Sequence, residues 1–285
     1  MIHLHNISYL RLGCKKLSEM VDFAVNILGL ELRKQTETHA YLRGDSSAYN
    51  LCYIEGDASY DACAFEVKHL SDLDAAEKEL AQVGITATRA TEAECTERQV
   101  YSALFFADPN GNRIELVYRP FMTGVRFFPG RDAGITEFGH FGLHTRDSER
   151  DIRFWTEVMS ARVSDKIGEG ALLRIDQVHH KIALFASQHT GVQHVNFQVA
   201  SIDDVMKSWY FLQEKNVPIV FGPGRHPTST AMFIYFLGPD KRVYEYSSGV
   251  KLITDEENYV PRQFEMAPSS FCLWGAKPNV DEFSE

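Results

Sequence analysis

The second half of this chain repeats the first, and the repeat limits the fold more than any single motif does. In the first half, residues 4–12 read as a strand. Leu17, Met20, Val21, Ala24, Val25 and Leu28 then recur at helical spacing, with Gly29 placed to end the helix. Strands follow near 40–42 and 49–54. A further strand at 62–67, a helix over 73–83, a strand at 101–107, the turn DPNGN and a strand at 113–118 complete the pattern. The order is β-α-β-β-β, twice. From Ile135 it returns: Tyr9 aligns with His140, Phe23 with Phe154, Phe65 with Phe197 and Glu115 with Glu245, an offset close to 131 residues throughout. A constant offset with matching element order predicts a duplicated module. The expected class is α+β, with two tandem modules, each of paired βαβββ units. The expected boundaries are 1–120, a Gly- and Pro-containing linker at 121–134, 135–250, and a 251–285 tail laid over the second module.

Composition removes several function classes. The 285 residues carry a formal net charge of -10, whereas a nucleic-acid binder is more often basic. The start, MIHLHNISYL, lacks the pattern of a signal peptide, and no apolar run is long enough to span a bilayer. The five cysteines are scattered and include no CxxC pair, which suits reduced thiols of a cytoplasmic protein better than disulfides or a thiolate zinc site.

The repeat also sorts the histidines. In GVQHVNFQV (191–199), Val195, Phe197 and Val199 alternate with His194, Asn196 and Gln198, so the polar three share one strand face. His140, His194 and Glu245 fall at repeat-equivalent strand positions, where the first module has Tyr9, Ala62 and Glu115. Taken singly, His140 could be a core histidine, His194 a surface one and Glu245 an exposed strand carboxylate. As a set, two imidazoles and one carboxylate make the facial triad of non-haem Fe(II) sites; Mn(II) is the alternative ion. The first module has one candidate donor, Glu115, expected as a surface residue beside the DPNGN turn. One metal per chain is therefore expected.

FGHF around His140, QHVNF around His194 and YEYSSG around Glu245, together with HKIAL (180–184) and GPGRH ending at His226, resemble the type I extradiol catechol dioxygenases of the vicinal oxygen chelate superfamily. The resemblance covers nearly the whole chain. It implies partly open mixed-sheet barrels, a non-catalytic first module and a homo-oligomer. It also implies a catecholic substrate opened with O2 next to its two hydroxyls, both oxygen atoms being incorporated. By the same resemblance, His140, His194 and Glu245 hold Fe(II). His180 sits over the O2 site and moves protons, His226 hydrogen-bonds a substrate hydroxyl, and Tyr235 orients or protonates the ring. The spacing to His194 points to His180, although a slip of one residue would exchange it for His179. His144, on the same strand face as His140, could back the ligands or lie exposed, with the surface the expected place, and His189 is expected in a loop. Arg225 could meet a substrate carboxylate or pack the turn. Two other classes share such modules: metal-dependent isomerases of the glyoxalase type, and drug-sequestering binding proteins without catalysis. The former tend to use more carboxylate ligands, and the latter lack a complete triad. Substituted catechols, dihydroxybiphenyls and ring-carboxylated catechols all remain candidate substrates.

Overall fold

The computed structural model describes residues 1–278, so the last part of the predicted tail, 279–285, lies outside the described residues. The first unit runs β1 (Asn6–Cys14), α1 (Leu17–Asn26), β2 (Glu31–Gln35), β3 (His39–Arg43) and β4 (Leu51–Glu55). The second runs β5 (Ala62–Val67), α2 (Leu70–Gln82), β6 (Thr88–Arg89), α3 (Glu92–Arg98), β7 (Val100–Ala107) and β8 (Arg113–Pro120). The third has β9 (Ile135–Thr145), α4 (Ser148–Arg153), β10 (Arg162–Ile167), β11 (Gly170–Arg174) and β12 (Ile182–Ala186). The fourth has β13 (Val192–Val199), α5 (Ile202–Glu214), β14 (Ile219–Arg225), β15 (Met232–Leu237) and β16 (Val243–Ser248). The tail adds β17 (Arg262–Phe264) and α6 (Pro268–Phe271).

The four units make two mixed sheets. The first is ordered β2-β3-β4-β1-β5-β8-β7-β6, the second β14-β15-β16-β13-β9-β12-β11-β10-β17. In every unit the first strand lies parallel to the last: β1 to β4, β5 to β8, β9 to β12 and β13 to β16. The two units of each sheet join through their first strands, antiparallel, as β1–β5 and β9–β13. Neither sheet closes on itself, because β2 and β6 edge the first and β14 and β17 the second. The repeat predicted the β-α-β-β-β order along the chain, not the strand order within each sheet. Sequence patterning did not find β2, β6 or α3. The helix α3 has seven residues and a single apolar buried side chain, Cys95, so no periodicity marks it. Its start is instead set by a capping box between Thr91 and Glu94.

One apolar core runs through both sheets. Phe65 of β5 packs on Phe141 and Trp155 with ring centroids 5.6 and 5.4 Å apart, and Phe23 of α1 lies 5.2 Å from Tyr244. Burial of a phenylalanine such as Phe65 contributes roughly 1.5–3 kcal/mol. Polar groups between the sheets are paired. Tyr53 and Tyr244 share a hydroxyl hydrogen bond of 2.8 Å, and Tyr246 donates to the Leu28 carbonyl at 2.9 Å. The tail returns across the second sheet, where β17 adds in parallel to β10 and Cys272 is buried against Phe233 and Val220.

Candidate metal centre

The register of three adjacent strands assembles the centre. Asn196 on β13 stands opposite His140 on β9 and opposite Glu245 on β16. His194 lies two residues before Asn196 and so on the same face. The three predicted donors thus converge: His140 Nε2 is 2.9 Å from His194 Nε2 and 3.0 Å from Glu245 Oε2, and His194 Nε2 is 3.5 Å from the same oxygen. Three donors about 2.1 Å from one ion at right angles would lie about 3 Å apart, so the spacing fits a single cation. All three residues are buried, with Glu245 only 1 % exposed. Among the described residues neither Glu245 oxygen makes a hydrogen bond of good geometry, its near neighbours being the two imidazole nitrogens, and a buried carboxylate so placed calls for another partner. A divalent cation is such a partner.

Small residues make room for the ligands. Gly142 stands opposite His194, and a Cβ there would lie 2.5 Å from the imidazole Nδ1. The FGHFGL glycine is therefore a packing requirement of the second ligand. The Gln193 side-chain oxygen accepts from His194 Nδ1–H, which leaves the Nε2 lone pair facing Glu245 and His140. Asn196 and Gln198 share the face but turn to Ser247, donating to its hydroxyl at 2.8 and 2.9 Å. Burial, and then the charge of His140, push His194 down to about 3. Burial works to raise the Glu245 carboxyl, but the neighbouring imidazoles, His140 first, hold it well below the usual carboxylate range. A neutral imidazole and an ionised carboxylate are the forms that bind metal.

The remaining predicted residues face the same space. A cavity of about 40 Å³ is lined by His140, His180, His194, His226 and Tyr235, with apolar walls from Ile167, Leu172, Phe185, Phe221 and Phe271. His226 Nδ1–H donates to the Phe271 carbonyl at 2.8 Å, so Nε2 accepts from the Tyr235 hydroxyl at 3.1 Å. Burial, reinforced by Glu245, raises Tyr235 well above an ordinary phenol, so it remains a donor. Of the two adjacent histidines, His180 lines the cavity, 4.3 Å from the His140 ring, and His179 lies behind it. The sequence missed what holds them. His179 bonds Asp165 at 2.9 Å, and Arg262 of the tail grips the same carboxylate through its backbone N–H and guanidinium. A signal existed in the strand RVSDKI: an aspartate there needs a buried partner. The tail that supplies it has no periodicity to place it.

Two expectations, those for His144 and Glu115, need correction, and Arg225 takes one of its two expected places. His144 is half-buried rather than exposed, its carbonyl accepting from Asn110 at 2.8 Å and its ring set against His189, which is in a loop as expected. Arg225 is exposed and donates to the Thr230 carbonyl, so it packs the turn and does not reach the cavity. Glu115 is not a surface residue but fully buried. It accepts from Tyr9 at 2.7 Å and from Arg98 twice, at 2.9 and 3.0 Å. The β6–β7 connection carries Arg98, whereas the equivalent β14–β15 connection carries His226. In the first module a guanidinium thus meets the carboxylate that a cation would meet in the second. Glu115→Ala should take from Arg98 its two close carboxylate contacts, leaving Glu97 at 3.7 Å as its remaining ion-pair partner, and destabilise the fold by about 3–5 kcal/mol in urea unfolding, while folded protein keeps its metal content. A change below about 1 kcal/mol would show that the pair is not the internal cation site described.

A family model of the glyoxalase/bleomycin resistance protein/dioxygenase superfamily matches residues 6–116 and 137–246. The iron-dependent extradiol dioxygenase of Rhodococcus jostii is 23 % identical over 95 % of this chain and 96 % of its own length. The 3-methylcatechol 2,3-dioxygenase of Pseudomonas putida is 26 % identical over 88 % of this chain and 92 % of its own. The crystal structure of BphC, a halotolerant catechol dioxygenase, superposes with a TM-score of 0.90 at 26 % identity, covering 99 % of this chain and 97 % of that one. The chain belongs to the glyoxalase/bleomycin resistance protein/dioxygenase superfamily.

Proposed function

We propose that the chain is an Fe(II)-dependent extradiol dioxygenase that opens a catechol-type ring beside its two hydroxyls and incorporates both atoms of O2. The observation that carries this reading is the joint placement of a buried His140–His194–Glu245 set and three further polar groups on one cavity. His140, His194 and Glu245 would hold the ion. Fe(II), with Mn(II) as the alternative, would supply Lewis-acid and one-electron chemistry at this cavity when bound. His226, its Nδ1–H fixed on Phe271, and Tyr235 present a linked pair to a substrate hydroxyl. His180, beside His140 in the same lining, would take or return a proton. The apolar walls clamp the ring and keep water from it.

No lysine or arginine lines this cavity among the described residues. An uncharged single-ring catechol with small substituents is therefore the preferred substrate. Anaerobic loading with Fe(II), then catechol and air, should yield a yellow ring-opened product, and a chelator should abolish it. Across a panel, kcat/KM should favour catechol and methylcatechols over ring-carboxylated catechols by at least about tenfold, because a carboxylate on the ring would be desolvated against these walls with no lysine or arginine to meet it. Preference for the carboxylated substrates would contradict the cavity reading.

The reading carries the predicted organisation with it: a non-catalytic module at 1–120, a linker at 121–134, a catalytic module at 135–250 and the tail beyond. A homo-oligomer is supported by the exposed Phe121, Met122, Val125 and Phe128 of the linker. A cytoplasmic location is supported by five cysteines that are all free and buried. No helix among the described residues is long and apolar enough to cross a membrane.

A further inference from the structure

Behind His180 lies a buried polar pair, Asp165 and His179, neither of which lines the cavity or belongs to the donor set. Asp165 and His179 are both 0 % exposed, a costly arrangement for a carboxylate and an imidazole unless every donor and acceptor is matched. The matching can be followed atom by atom. The Asp165 carboxylate receives the Arg262 backbone N–H at 2.9 Å and its guanidinium at 3.1 and 2.6 Å. It has only acceptors left to offer, so His179 Nε2, 2.9 Å away, must be the donor. Burial, working against Asp165, lowers His179 below an ordinary histidine, so near pH 7 it is neutral with the proton it donates to Asp165 on Nε2. Its Nδ1 is therefore a lone pair, and His180 Nδ1, 3.1 Å away, must carry the proton between them. What remains on His180 is an unprotonated Nε2, on a residue that lines the cavity.

We propose that Asp165 and His179 are positioning residues that fix the tautomer of His180, so that it meets the substrate as a base at Nε2. The inference rests on the dioxygenase reading for its consequence but not for its geometry. In the reaction, the His180 Nε2 lone pair forms an N–H bond as a catechol O–H bond breaks, and the electron pair stays on the substrate oxygen. The positive charge gained by His180 is then met, through the Nδ1–H bond to His179, by the Asp165 carboxylate. Arg262 comes from β17, so the tail contributes to the active site through this chain as well as through the Phe271 carbonyl on His226. The same Arg262 guanidinium also donates to the Thr228 carbonyl at 2.7 Å, which joins the chain to the loop carrying His226.

The test compares two replacements of His179. Glutamine can still donate to Asp165 through its amide NH2 and accept from His180 through its oxygen. Leucine fills the buried space but can do neither. His179→Leu should lower kcat by about 10- to 100-fold with KM within about threefold, and His179→Gln should recover most of the loss. A role in packing alone predicts the reverse order. The direct readout needs no turnover: histidine-selective 15N NMR of the full chain loaded with zinc(II). Wild type and His179→Gln should show His180 protonated at Nδ1 and bare at Nε2, and His179→Leu should lose that preference. A wild-type His180 protonated at Nε2, or a His179→Leu enzyme with wild-type kcat, would overturn the proposal. A correct tautomer in a protein that cleaves no catechol would leave the assignment standing and sink the dioxygenase reading instead.

Discussion

Glu245→Ala is expected to empty the metal site and reduce turnover to background. Glu245 is the one anionic donor of the set; with it gone, two neutral imidazoles remain to hold a divalent ion against water. The loss should not come from unfolding. In wild type the carboxylate is 1 % exposed; burial works against its charge while the His140 and His194 imidazoles favour it, so the two effects of removing it oppose each other. Metal-free variant and metal-free wild type should therefore unfold within about 1 kcal/mol of each other. Metal analysis by mass spectrometry, paired with urea unfolding, separates the two effects. Retained stoichiometric iron in Glu245→Ala would show that the ion sits elsewhere.

His180→Gln should act differently, lowering turnover by on the order of 10²–10⁴-fold with iron content unchanged. His180 lines the cavity, and its ring lies 4.3 Å from that of His140, yet it offers no atom to the donor set. Glutamine at this position keeps a hydrogen-bonding group of similar reach but cannot take up a proton near neutral pH. Burial, and then the charges of the surrounding imidazoles, hold His180 well below an ordinary histidine, so it begins the cycle neutral. The expected signature is a fall in kcat at nearly constant KM. If iron falls with activity, His180 is a ligand; if neither changes, the proton moves by another group.

The pattern of agreement between sequence and structure has a physical basis. The duplication was legible because a constant offset adds up many weak resemblances, and the strand register then forces His140, His194 and Glu245 together. His180, His226 and Tyr235 were legible only through family resemblance, since each sits in a segment whose alternation says nothing about which way the chain turns. Glu115 was misread for a related reason. Its neutraliser, Arg98, comes from a short helix with one buried apolar side chain, and nothing in the strand itself reports a buried guanidinium 2.9 Å away. Asp165 and Arg262 stayed hidden because they are 97 residues apart and meet only when the tail adds as a parallel strand. Long-range pairing by an element without periodicity leaves no local trace.

The most direct test of the central claim is one experiment on one sample: purified protein loaded anaerobically with Fe(II), its iron per chain measured, then mixed with catechol and O2 while oxygen uptake and product are followed together. The account predicts one iron per chain, one O2 consumed per catechol, and a hydroxymuconic-type product cleaved outside the diol. Two tightly held irons per chain, muconate from cleavage between the hydroxyls, or full activity with zinc alone would contradict it.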